Sequence, residues 1–172
     1  MTQEDQRVRD YLMTQGQKYS FSELWTRTIE PRLELIKQLS DVTQMQANFS
    51  YDEDEWTISE IVDHVLASTE KVSDCVSRLS CGLDVDTSDV DPIRKTSKRK
   101  IDKLRNGLLE GALSWTTMTT SLPKKPDYRK TSNHSSFGDL HSGAWYLFQR
   151  LHDLDHLEQI KRTKSHSNYP AT

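Results

Sequence analysis

The sequence predicts an all-α protein built as an up-and-down four-helix bundle. Apolar residues recur at three- and four-residue steps in four long segments, which is the spacing of amphipathic helices. Alternating β-branched runs between turn residues, which would indicate strands, are scarce. The hydrophobic fraction is 34% and the charged fraction 28%, a balance that suits helices with solvated outer faces. The length of 172 residues predicts one domain over residues 1–172, with its core at about 20–164.

The first long helix is predicted over about residues 21–45. Ser20 and Ser22 precede its apolar positions, and serine is a favoured N-cap because its hydroxyl accepts a hydrogen bond from the first helical turn. Pro31 lies inside this segment. Proline lacks the backbone N–H and clashes with the preceding turn, so a kink or a break is expected there.

The second helix is predicted to begin at Thr57 or Ser59, in a capping-box pattern, and to end at Gly82. Residues 84–97 change from acidic to basic and contain few apolar side chains, so they are predicted to form a loop. A third helix is expected to begin near Ser97.

The last third of the chain is predicted to hold one loop, one helix and a tail. Residues 121–138 contain two prolines, a glycine and several hydroxyl side chains, which predicts a second long loop. The fourth helix is predicted over about residues 139–164, with Asp139 near its start and basic residues near its end, the charge order that a helix dipole favours. The polar tail after residue 164 is expected to be loosely held.

Composition argues against several classes of partner. The net charge of −3 gives no general attraction to nucleic acid or to an anionic membrane. A basic run at 94–105 has no interleaved aromatic residues for base stacking, and a solvated helix start explains it. No stretch approaches the roughly 18 apolar residues of a membrane span. Cys75 and Cys81 lie on opposite faces of the second helix, which favours a reduced compartment. A cytoplasmic protein is therefore expected.

Three histidines carry most of the functional information. His152 and His156 are four residues apart in the fourth helix, so both side chains leave one face with Cβ atoms about 5–6 Å apart, and two imidazoles can then hold one ion. His64, in the second helix, can supply a third nitrogen. Three nitrogen ligands leave coordination positions open, as catalytic metal sites do. Imidazole suits divalent transition metals such as zinc, nickel, iron or copper.

Other interpretations of the histidines were weighed. A single histidine on a helix is more often a satisfied core residue than a ligand. Residues 152–156 also have the spacing of the HExxH motif with aspartate in place of glutamate, but Arg162 stands where the extended protease motif needs a histidine. His141 precedes His152 by about 16 Å of helix. It is therefore predicted to be a capping or core-edge residue and not a ligand of the same ion.

Two stretches of sequence resemble the DinB-like superfamily of metal-binding four-helix proteins, which includes the YfiT-like and thiol-transferase branches. The first stretch, residues 56–65, begins with Trp56 and includes His64. The second contains His134 and the pair Phe137-Gly138, and it leads into the helix with the two spaced histidines and Gln159. The resemblance covers about residues 20–164. Ser135 stands where relatives often carry proline after the first histidine, so this loop departs from the family pattern.

The resemblance implies that His64, His152 and His156 are the three metal ligands of a divalent-metal-dependent enzyme. It implies thiol-transferase-like or hydrolase-like chemistry on a small molecule, with a low-molecular-weight thiol as a candidate partner. The alternative is a non-catalytic metal-binding helical protein that acts through homodimerisation or protein partners. No general base is predicted.

Two further expectations concern the surroundings of the site. The substrate is expected between helices, against Trp145 and Phe148 and parts of the two long loops. Asp153 or Asp155 is expected to orient the imidazoles.

Overall fold

The structure of this protein is a computed structural model that describes residues 1–88, 90 and 92–171. It is mainly helical, as the sequence predicts, with a small antiparallel two-stranded sheet that was not predicted. None of the described helices has the length and apolar character needed to cross a membrane. The elements in chain order are α1 (Gln3–Lys18), α2 (Phe21–Gln38), α3 (Gln44–Ala47), α4 (Ile58–Ser80), α5 (Ile101–Ser121), β1 (Thr131–His134), β2 (Gly138–His141) and α6 (Ser142–Ser165).

Helix α6 lies at the centre of the packing. It contacts α1, α2 and α4, while α5 packs against both α2 and α4. Every residue from Ser142 to Gln149 is buried, so the first two turns of α6 are covered on all sides. Buried side chains form two apolar clusters, one around Trp145 and Tyr146 and the other around Ile61 and Ile160.

Helix α1 was not among the predicted helices. It begins with a capping box between Thr2 and Asp5, and its Leu12 is completely buried. Gly16 meets the backbone of Gly143 at the start of α6 so closely that neither position has room for a Cβ atom. Two glycines therefore let α1 and α6 approach backbone to backbone.

Helix α2 begins at Phe21, where the Ser20 hydroxyl caps the backbone N–H of Glu23 as the sequence predicts. The helix continues through the buried Pro31, so the break considered at that position does not occur. It ends at Gln38 and not near residue 45, and a separate short helix, α3, follows.

The bounds of α4 are set by residues at its two ends, and the start of α6 is set by the sheet. Thr57 caps α4, and Gly82 ends the helix region with φ of 75°, a left-handed conformation that glycine adopts easily. The predicted loop at 121–138 contains β1, and β1 pairs with β2 so that His134 is opposite Gly138. Because β2 occupies residues 138–141, α6 begins at Ser142 and not at residue 139.

The C-terminal tail is packed, which corrects the expectation that it is loosely held. The amide of Gln46 donates a hydrogen bond to the carbonyl oxygen of Pro170 at 2.8 Å. The ring of Tyr169 meets Phe49 edge to face at 5.6 Å, and His166 stacks on Tyr51 at 4.8 Å. The tail thus covers the segment that joins α2 to α4.

Candidate metal centre

The three predicted histidines meet between α4 and α6. His64 lies on α4, and His152 and His156 lie one turn apart on α6. The Nε2 atom of His152 is 3.1 Å from that of His64 and 3.2 Å from that of His156. The three ligand atoms all lie within 4.8 Å of one another. The structure therefore brings together the whole set of residues that the sequence predicts as ligands.

Two of the rings are oriented by hydrogen bonds on the far nitrogen. Nδ1 of His64 lies 3.1 Å from the carbonyl oxygen of Pro92, and Nδ1 of His156 lies 3.0 Å from the side-chain oxygen of Gln159. A carbonyl oxygen can only accept, so each Nδ1 carries the proton. The Nε2 lone pairs then face the centre of the cluster, which is the arrangement of histidine ligands held by outer hydrogen bonds.

The two short Nε2–Nε2 separations, from His152 to His64 and to His156, match those around one transition-metal ion. Metal–nitrogen bonds of about 2.0–2.1 Å place two nitrogens roughly 3.0 Å apart at right angles and roughly 3.4 Å apart in a tetrahedron. The observed separations of 3.1 and 3.2 Å fall between these values.

Aromatic packing encloses the cluster. Trp56 meets the ring of His64 edge to face at 5.1 Å, and Phe148 lies 5.7 Å from the ring of His152. Nδ1 of His152 is buried and forms no hydrogen bond with a described residue. This ring is therefore held by packing. The three histidines are between 7% and 9% exposed, so the site lies just below the surface.

Burial keeps His152 in the form that binds a metal. Removal from water lowers the pKa of its imidazole well below 6.5, and the neighbouring His156, His64 and Arg32 lower it further. A neutral imidazole has a lone pair to donate, whereas a protonated one does not. His152 is therefore ready to act as a ligand at neutral pH without first losing a proton.

No protein-family model matches the sequence, and no curated protein matches it. The resemblance to the DinB-like superfamily therefore rests on the sequence motifs alone.

Within the described part of the chain, the cluster contains no further histidine, cysteine or carboxylate. The expectation that Asp153 orients an imidazole is wrong: its carboxylate binds Arg32 of α2 through two hydrogen bonds of 2.8 Å. Asp155 reaches the site only indirectly, because Gln159 lies between it and His156, with the Gln159 amide 3.5 Å from the Asp155 carboxylate. The three imidazoles therefore leave room for other ligands on the ion.

The ion pair between Arg32 and Asp153 is almost completely buried. The side chain of Arg32 is 5% exposed and that of Asp153 is 0% exposed. Arg32 also donates to the hydroxyl of Thr69 on α4, and Gln149 donates to the Asp153 carboxylate, both at 2.8 Å. The pair thus connects α2, α4 and α6 beside the histidine cluster. Sequence reasoning missed Arg32, since nothing in its local pattern distinguishes it from a surface arginine.

His134 packs on two aromatic residues of α6, Trp145 and Phe148, beside the histidine cluster. The ring of His134 packs against Phe148, and its Nδ1 accepts hydrogen bonds from the backbone N–H groups of Ser136 and Phe137. Trp145 is completely buried and donates to the hydroxyl of Ser132. Trp145 is therefore a core residue and not an exposed lining residue, whereas Phe148 contacts the ligand His152.

His141 is a capping residue, as predicted. Its Nδ1 accepts a hydrogen bond from the backbone N–H of Ala144 at 3.2 Å, and its Nε2 lies 3.1 Å from the carbonyl oxygen of Met13, to which it donates. Burial lowers its pKa below 6.5, against the opposing effect of the Met13 hydrogen bond. The neutral ring therefore joins α1 to α6.

The stability of the metal-free protein is expected to fall as pH drops below about 6.5. The folded-state pKa values of His141 and His152 are both lowered, so the unfolded chain binds more protons in this range. Each group contributes a slope of at most about 1.4 kcal/mol per pH unit until its folded-state pKa is reached. Urea unfolding at pH 7.5, 6.5 and 5.5 measures this slope. His141→Asn keeps a capping oxygen but does not titrate, so it should flatten the slope, and a slope equal to wild type would exclude His141 as a cause.

Proposed function

We propose that this protein binds a divalent transition metal, such as zinc, nickel or iron, through His64, His152 and His156, and uses it for thiol transfer or hydrolysis on a small molecule. We also propose that the fold is the DinB-like four-helix bundle that the sequence resembles. One observation carries the proposal: the Nε2 atom of His152 lies 3.1 Å from that of His64 and 3.2 Å from that of His156, while the rings of His64 and His156 are oriented by hydrogen bonds at their Nδ1 atoms.

The chemistry of such a site follows from its open positions. A divalent ion held by three imidazoles lowers the pKa of a water or thiol that it binds, and so supplies a nucleophile at neutral pH. The protein orients two ligands through Pro92 and Gln159, and the aromatic rings of Trp56 and Phe148 limit the access of water. Low exposure strengthens electrostatic interactions inside the site.

A thiol used in this chemistry would come from outside the chain. Burial raises the pKa of the Cys75 thiol to about 12, so it stays protonated and is a poor nucleophile. Cys81 follows the last turn of α4, about 25 Å along the axis from His64 at 1.5 Å per residue. These positions support a low-molecular-weight thiol as the partner, and free cysteines agree with the reduced, cytoplasmic setting that we propose.

The second candidate is a non-catalytic metal-binding protein that acts through dimerisation or protein partners. The low exposure of the three ligands, 7% to 9%, favours it, because a structural ion needs no access for a substrate. A metal ion would then simply join α4 to α6.

Removal of one ligand is expected to abolish metal binding. Wild-type protein purified without a histidine tag should contain about one transition-metal ion per chain by elemental analysis, whereas His152→Ala should contain almost none. At a metal concentration of 1,000 times Kd, bound metal stabilises the fold by about 4 kcal/mol, and His152→Ala should lose this gain. His166→Ala, which removes a histidine outside the cluster, should contain as much metal as wild type and should keep the stabilisation by added metal. Equal metal content in wild type and His152→Ala would exclude the proposed site.

The two candidate functions differ in whether a small thiol reaches the ion. Protein loaded with Co²⁺ should change its visible absorption spectrum when 2-mercaptoethanol is added, if a coordination position is open to substrate. A spectrum that does not change on addition of thiol would favour the non-catalytic candidate.

A further inference from the structure

The connector between α4 and α5 lies against the three histidines at Pro92, and Arg94 ties this part of it to α4. Arg94 is two residues after Pro92, whose carbonyl oxygen accepts the Nδ1–H of His64. The guanidinium of Arg94 binds the carboxylate of Glu60 on α4, with Nε at 3.3 Å and Nη2 at 3.1 Å. Glu60 is buried, at 7% exposure, so this ion pair is shielded from solvent on one side.

The distance between the two contacts is similar along the connector and along α4. Glu60 and His64 are four residues apart, which is about 6 Å along the helix axis. Pro92 and Arg94 are two residues apart, which is at most about 7 Å of extended chain. An extended connector that runs along α4 can therefore place Pro92 beside His64 and Arg94 beside Glu60 at the same time. The two contacts support each other geometrically.

Arg94 also holds the segment that precedes α4. It donates to the carbonyl oxygen of Glu53 at 3.1 Å and to that of Glu55 at 2.8 Å. The next residue, Trp56, packs edge to face on the ring of His64. Arg94 thus fixes both of the contacts described above that orient His64: the carbonyl on its Nδ1 and the indole on its ring.

We infer that Arg94 is a positioning residue of the metal centre, which sets the orientation of His64 through Pro92 and Trp56. This inference rests on the proposed function, since it requires that the three histidines bind a metal ion. Loss of an outer hydrogen-bond partner of a metal ligand typically weakens metal binding 10- to 100-fold. Arg94 does not contact His64 itself but acts through Pro92 and Trp56, so its removal is expected to weaken metal binding by about 10-fold, the lower end of this range.

The test is Co²⁺ binding to the full chain for wild type, Arg94→Gln, Arg94→Lys and Arg99→Gln. Arg99→Gln is the matched control, because Arg99 also pairs with a carboxylate of α4, Asp63, but its side chain is 59% exposed. Affinity is measured by competition with a chromophoric chelator, at a temperature where circular dichroism shows every metal-free variant folded. The visible spectrum of each Co²⁺-loaded protein reports the geometry of the ligands.

Arg94→Gln is expected to raise Kd for Co²⁺ about 10-fold and to alter the visible spectrum, while Arg99→Gln leaves both unchanged. Arg94→Lys keeps the charge but cannot reach one carboxylate and two carbonyl oxygens at once, so it should not restore the spectrum. If Arg94→Gln matches wild type in affinity and spectrum while wild type binds Co²⁺, the inference is overturned and the proposed metal site stands. If wild type does not bind Co²⁺, both are overturned.

Discussion

Replacing Gly143 by alanine is expected to lower the free energy of unfolding by about 3 kcal/mol. A Cβ atom at this position would lie 2.7 Å from the carbonyl carbon of Gly16, and closer still to its oxygen. Both partners are backbone, so no side chain can move aside and α1 must shift away from α6. For a chain of this size the melting temperature should fall by roughly 6–12 °C. Thermal unfolding followed by circular dichroism measures this.

Gly111→Ala is the matched control for this prediction. A Cβ atom on Gly111 would meet only a side-chain nitrogen of Arg32, at an ordinary contact distance of 3.5 Å. Alanine is a better helix former than glycine, by about 1 kcal/mol, so this variant should be slightly more stable than wild type. If Gly143→Ala melted at or above the wild-type temperature, the close contact between α1 and α6 would be wrong.

Replacing Arg32 by methionine should destabilise the protein by about 3–5 kcal/mol. The change leaves the carboxylate of Asp153, which is 0% exposed, without its bidentate partner. Gln149 keeps one hydrogen bond to that carboxylate, which does not replace the lost charge. The free energy of unfolding in urea measures the effect.

Two further variants test the cause. Arg32→Met combined with Asp153→Leu removes both charges, so the double variant should be more stable than Arg32→Met alone. Lys161→Ala breaks an exposed ion pair with Glu158 and should change stability by less than about 1 kcal/mol. A cost for Arg32→Met as small as that of Lys161→Ala would mean that the ion pair contributes little to the fold.

The sequence predicted the helices whose signals are local. Capping patterns located the starts of α2 and α4 at Ser20 and Thr57, because a side-chain cap needs only its own first turn. The histidine cluster was also predictable, since His152 and His156 are separated by one helical turn. His64 was predicted as the third member from its place on another helix and from the family resemblance, and the structure places it in the same cluster.

The features that were missed depend on contacts between distant segments. Helix α1 has little apolar character, and its packing rests on Leu12 and on the absence of a side chain at Gly16. Strand β1 consists of four polar residues, so only pairing with β2 defines it. The tail packs through Tyr169 on a segment more than a hundred residues earlier. A periodic pattern within one segment does not show which distant segment that segment will pack against.

The burial of the first two turns of α6 on all sides has a consequence for how the helix is assembled. A helix with one apolar stripe settles with that stripe inward, but turns that are covered all round express no such preference among rotations about the helix axis. A turn of one residue, about 100°, would carry Asp153 away from Arg32 and leave a carboxylate unpaired in the interior. Other rotations of α6 are therefore destabilised by the unpaired carboxylate of Asp153. His152 precedes Asp153 directly in the sequence. The rotation of α6 that pairs the Asp153 carboxylate with Arg32 is therefore also the rotation that directs His152 and His156 toward His64.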